Sequence, residues 1–264
     1  MTRVLVLGNS HAATLRRAFP AIAAAYPDLR LSFWGLPGAA FAKAMIGPDG
    51  MLRPDPSDRQ SLRKADQWND ADHIDLTTFD RIFLVGLRYN QRHVLTLMRR
   101  LQPLDWGKRT GALGVSEGFL RAAVRAEIDS SLTAQNERVP MDARFTLMPA
   151  PFPAEAVTQS RSDLYEPVTS SAAALRHAAD LMALHDEELT AAHATLGLGF
   201  ALQPPQTRAR PFLTYDEYLE DPDRDARHMN ADYGLIAFEA LLAAARPLST
   251  SAPQASGAAD HATA

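Results

Sequence analysis

The feature that most constrains this chain is an alternation. Short runs dominated by apolar and β-branched residues are each followed by longer stretches with apolar residues three and four apart. Arg3 to Leu7, Leu29 to Trp34, Arg81 to Leu87 (RIFLVGL) and Arg144 to Met148 are runs of the first kind, and Gly199 to Gln203 is a fifth. A strand that is apolar at successive positions has no face to give to water, so it is expected to be buried on both sides. The intervening stretches carry helical stripes. Leu15, Phe19, Ile22 and Tyr26 form one, which Pro20 is expected to break or kink. Val94, Leu97, Met98 and Leu101 form another, and Leu120, Val124, Ile128 and Leu132 mark a helix over about 117–135. The clearest stripe runs from about Ser171 to Leu198 through Leu175, Ala178, Met182, His185, Leu189, Ala192 and Leu196. His185 reads as a satisfied core or interface histidine. A last helix spans about 230–245, with Leu235, Phe238 and Leu242 on one side. Strands alternating with helices predict an α/β fold with a parallel sheet covered on both faces.

A single domain over residues 1–246 accounts for this pattern. Between Ala39 and Phe79 the periodicity fails, with Pro48, Pro54 and Pro56 and several aspartates. That segment is expected to be an irregular excursion from the core and the best-placed lid or substrate-selecting loop. Residues 247–264 are small and polar and are expected to be disordered.

Composition narrows the partners. The net charge is -4, without a clustered basic patch, so neither nucleic acid nor an anionic membrane surface is expected; a small molecule or a glycan is. The chain has no cysteine, which excludes disulfides, thiolate catalysis and cysteine-ligated zinc. No window approaches the ~18 apolar residues of a membrane span. One Arg and four apolar residues at the start are too short for a secretory signal, so a cytoplasmic location is expected. His73 and His93 show no metal-ligand spacing, and Gly8-Asn9-Ser10 lacks the lysine of a phosphate loop; no metal and no cofactor is expected. The oligomeric state is not set by the sequence.

In open parallel sheets, ligands bind beyond the carboxyl ends of the strands. Ser10, Gly38 and residues 86–90 all fall there. Gly8-Asn9-Ser10-His11-Ala12 follows the first run, and Ser10 there is either a helix cap or a nucleophile. A serine hydroxyl attacks only when a base takes its proton, and that base works best when a carboxylate orients it. Asp225-Ala226-Arg227-His228 offers both groups on one loop before the last helix, with Asp225 preferred over Asp221 and Asp223 by its spacing from His228. His11 is given no catalytic role. Tyr215, Tyr218, Trp34 and Trp68 could stack on a sugar, but each taken singly reads as core or surface.

These blocks resemble the SGNH/GDSL hydrolase family. Its Gly-Asp-Ser block after the opening strand is seen as Gly8-Asn9-Ser10, its Asp-x-x-His block as Asp225-Ala226-Arg227-His228, and its run into the closing helix as HMNADYG, residues 228–234. The resemblance implies a three-layer α/β/α sandwich, flavodoxin-like in its parallel sheet. It implies cleavage of an ester by Ser10, with His228 as base and Asp225 as its orienting group. It also implies an oxyanion hole made by the serine N–H, a glycine matched by Gly38, and an asparagine. The sequence departs from the family twice. Asn9 stands where Asp is usual. The Gly-x-Asn block reads Gly86-Leu87-Arg88-Tyr89-Asn90, so either Asn90 reaches the hole or Arg88 takes its place; Asn90 is preferred. O-acetyl groups on a carbohydrate are the substrate class the resemblance implies. Acyl transfer to a glycan by the same triad, or a non-catalytic glycan-binding or scaffold protein on the same fold, are the alternatives.

Overall fold

The computed structural model describes residues 1–87, 89, 91–103, 113–160 and 162–247. The expected disordered tail, from residue 248 on, lies outside the described residues, as do Arg88 and Asn90.

The first apolar run becomes β1 (Thr2–Gly8), followed by α1 (Ala12–Ala25) and β2 (Leu29–Gly35). Three more strands complete one sheet: β3 (Arg81–Leu87), β4 (Phe145–Pro149) and β5 (Gly199–Phe200). All are parallel, in the order β5-β4-β3-β1-β2. Residues 4 to 8 of β1 are all buried, and the pleat sends Val4 and Val6 to one face and Leu5 and Leu7 to the other. The architecture is a three-layer α/β/α sandwich.

One face is covered by α1 and by α6 (Ala231–Ala244), whose Tyr233, Ala237, Phe238 and Leu241 pack with Leu15, Ala18 and Ile22. Asn230 caps α6, accepting the Tyr233 N–H at 3.1 Å. The two helices touch closely at Gly234, where an added Cβ would sit 2.4 Å from the Thr14 carbonyl oxygen. α1 continues through Pro20 instead of ending there. Pro20 and Arg16 are both exposed, so water can serve the carbonyl that the proline leaves without an N–H partner.

The segment 39–79 is not an excursion from the core. Short strands Met45–Ile46, Met51–Arg53 and Ile74–Asp75 form an antiparallel sheet beside α2 (Arg59–Trp68). Leu52 and Ala65 are fully buried and share a cluster with Leu5, Leu7, Trp34 and Ile82. This segment therefore roofs part of the second sheet face, and most of it is not free to act as a lid.

Three further helices, α3 (Gln91–Arg100), α4 (Glu117–Arg138) and α5 (Ala172–Leu196), build a cluster of their own. Ser116 and Ser171 cap α4 and α5, and Gly197 ends α5 in the left-handed region at φ 71°. His185 is buried there, but neither ring nitrogen has a hydrogen-bond partner among the described residues, so the expected satisfied histidine is not found. β5 is shorter than predicted. Past it the Gln203 side chain turns inward to Thr207 and Thr214, and Pro204 and Pro205 end the run.

Candidate active site

β1 is flanked by β2, which precedes the reversal in strand order, and by β3, which follows it. Gly8 pairs with Gly35 on one side and with Val85 on the other, so the turns leaving all three strands open at one edge, at the switch point of the sheet. Gly8 allows this closeness, because a Cβ there would lie 2.1 Å from the Val85 carbonyl oxygen.

Asn9, nearly buried, joins two of these turns. Its Oδ1 accepts the His11 N–H at 3.0 Å, and its Nδ2 donates to the Gly86 carbonyl oxygen. The partners are one donor and one acceptor, which fixes the amide orientation. An aspartate could make the first bond and not the second. The departure from Asp at this position therefore has a structural role. Gly86 completes the fit: it has φ 94°, and a Cβ on it would lie 2.1 Å from Asn9 Oδ1.

Asp225 and His228 lie on a β-hairpin, not on a loop as expected. Its strands are β6 (Leu219–Asp221) and β7 (Asp225–Met229). Leu219 pairs with Met229 and Asp221 with Asp225, so two residue steps in β6 face four in β7. Residues three apart in a regular strand point to opposite faces; this bulge turns both side chains to the same side. Thr14, one turn beyond Ser10 on α1, donates its hydroxyl to the Met229 carbonyl at 3.0 Å and ties β7 to the start of α1.

His228 thereby reaches both partners. Ser10 Oγ lies 2.9 Å from Nε2, and Nδ1 is hydrogen-bonded to Asp225 Oδ2. A carboxylate only accepts, so Nδ1 carries the proton and Nε2 is left to accept the Ser10 hydroxyl. The Asp225 Oδ1 accepts the Arg227 N–H at 2.8 Å. Partial burial raises the Asp225 carboxyl, but the His228 hydrogen bond and charge, with the Arg227 N–H, outweigh it and hold the group below its usual range. The side chains of His228 and Asp225 are 35% and 36% exposed, so a substrate can approach them.

Gly38 opens the short helix Gly38–Phe41 behind β2. Among the described residues nothing lies within 4 Å of where its Cβ would be. The N–H groups of a first helical turn have no partner within the helix, which is true of Gly38 here. The third expected donor, Asn90 or its rival Arg88, lies outside the described residues. Between them Tyr89 is fixed: buried, it donates its hydroxyl to His193 Nε2 at 2.9 Å, while His193 Nδ1–H donates to the Leu189 carbonyl at 2.6 Å. Burial pushes the His193 ring down to about 4, against the opposing pull of that carbonyl, and it pushes the Tyr89 phenol up. Both are therefore neutral at pH 7, and the α5 helix anchors the segment that follows β3.

Sequence analysis places residues 86–90 at this edge but misses the bond from Asn9 to Gly86, the Tyr89–His193 contact, the Thr14 tie to Met229 and the stacking of His11 on His228. An isolated glycine near the end of a buried strand, as at Gly86, signals close backbone approach and was the available clue. The other three have no local signature. No family model matches the chain, and no curated protein matches it significantly. Among solved structures, the chain is similar to a protein provisionally named an acylhydrolase from Bacteroides fragilis, at 13% identity over 93% of this chain and 88% of that one, TM-score 0.39. It is similar to an α/β hydrolase enzyme from the metagenome of Lake Arreo, Spain, at 12% identity over 92% and 94%, TM-score 0.38. It is also similar to a GDSL-like lipase from Bacteroides thetaiotaomicron, at 13% identity over 92% and 86%, TM-score 0.36.

Proposed function

We propose that the chain is an SGNH/GDSL-type serine esterase. The observation that carries this is the continuous relay from Ser10 Oγ to His228 Nε2 at 2.9 Å, and from His228 Nδ1–H to Asp225. A helix cap or a glycan-binding protein has no use for that contact. Ser10 Oγ attacks the carbonyl carbon of the ester as its proton passes to Nε2. The imidazolium that forms is held in one orientation and stabilised by Asp225, which stays ionised. The developing oxyanion is met by the N–H groups of Ser10 and Gly38, with Asn90 the third donor. Collapse of the tetrahedral intermediate breaks the ester C–O bond, and Nε2–H returns its proton to the leaving alcohol. Water then attacks the acyl-serine with His228 as base, releasing the acid and free Ser10.

Acetylated sugars head the substrate list because the family resemblance points to them. The test is hydrolysis of p-nitrophenyl acetate and of O-acetylated monosaccharides. Wild-type turnover that falls by about 10⁴-fold or more in Ser10→Ala and in His228→Ala is the expected result. Equal turnover in wild type and both variants would overturn the reading.

A further inference from the structure

His11 is buried at 4% exposure, and its ring stacks on His228 with centroids 5.1 Å apart and planes 29° from parallel. Its backbone is pinned twice: its N–H donates to Asn9 Oδ1 at 3.0 Å, and its carbonyl accepts the Thr14 N–H at 3.2 Å. The ring is thus carried by a fixed turn. The His228 imidazole is held at Nδ1 by Asp225 and at Nε2 by Ser10. Two such bonds fix the line joining the nitrogens and leave the ring free to rock about it. A flat group against one face removes that freedom. Once Ser10 is acylated its hydroxyl no longer donates, and of the ring's contacts named above, those with Asp225 and His11 remain.

We propose that His11 is a positioning residue for the base: it fixes the plane of His228 through ring stacking, above all in the acyl-enzyme, where the Ser10 hydrogen bond is absent. The proposal rests on the esterase reading for its catalytic consequence, not for the stacking itself. The turn that presents the nucleophile therefore also presents the wall that holds its base.

The test compares wild type with His11→Phe, which keeps a flat face, and His11→Leu, which fills the space without one. Two readouts are taken: steady-state and single-turnover kinetics on p-nitrophenyl acetate, and the downfield NMR resonance of His228 Nδ1–H. His11→Phe should match wild type within about twofold, whereas His11→Leu should lose about tenfold in kcat with KM falling in step, so that kcat/KM is nearly unchanged, because the loss falls on deacylation. The Nδ1–H resonance should be sharp in wild type and His11→Phe and broadened by exchange in His11→Leu. Wild-type kcat and a sharp resonance in His11→Leu would overturn the proposal. If His11→Leu loses cooperative unfolding, His11→Gln takes its place with the same expectations. A wild type that turns over no ester defeats the esterase reading, while the resonance still decides the stack.

Discussion

At the scale of single residues the site depends on Asn9 as much as on the groups that face substrate. Its amide donates to Gly86 and accepts from His11, so Asn9→Asp sets a carboxylate oxygen against a carbonyl oxygen in a buried position. The expected cost is about 1–3 kcal/mol, read as a lower urea midpoint at unchanged slope. An unchanged midpoint would refute that amide orientation. Asp225 carries a second prediction. Its folded-state pKa lies below the unfolded value, so its contribution to stability is complete above ordinary carboxylate pH and is lost as pH falls through the lowered value. Asp225→Asn at neutral pH should cut kcat by about 10³–10⁴-fold, because an amide no longer enforces the tautomer that leaves Nε2 free. Ser10, Asp225 and His228 were legible because each sits in a short block with a recognisable spacing. The donor role of Asn9 was not, since its partner Gly86 is 77 residues away and only the sheet brings them together.

At the scale of elements, the nucleophile and base come from opposite ends of the chain and meet because α1 packs on α6 at Gly234. Gly234→Ala places a methyl 2.4 Å from the Thr14 carbonyl and should push the helices apart, costing about 1–3 kcal/mol in thermal or urea unfolding. The same change should lower esterase activity more than stability alone explains, since Thr14 is also the clasp on Met229. The Tyr89–His193 anchor gives a pH signature. His193 is held neutral down to about 4, below the unfolded value, so its share of stability is complete above about pH 6.5 and drains away as pH falls toward 4. His193→Gln should flatten the loss of stability between about pH 6.5 and about pH 4.5, measured by urea unfolding at each pH. The long apolar runs and stripes were readable as elements because burial on both faces or along one stripe leaves a period. Strands of two or three residues in 45–75 leave none, and the bulge in β7 is set by its pairing with β6, not by its own residues.

At the scale of the whole molecule, the strand order puts β1 between β2 and β3, and this is what gathers Gly8, Asn9, Gly35 and Gly86 at one edge of the sheet. The hairpin before α6 then lays His228 over that edge. Alternation in the sequence predicted the parallel sheet, but not that residues 39–79 would serve as a covering layer, because their buried positions are scattered among polar ones. Among the described residues no helix is long and apolar enough to cross a membrane. If the whole arrangement serves to activate Ser10, that activation should show in reaction with a fluorophosphonate, the adduct located by mass spectrometry in wild type, Ser10→Ala and His228→Ala. A single adduct on Ser10 of the wild type, and none in either variant, is the expected outcome. A folded wild type that takes no label, or a label that persists when His228 is removed, would show that Ser10 is not activated by this relay.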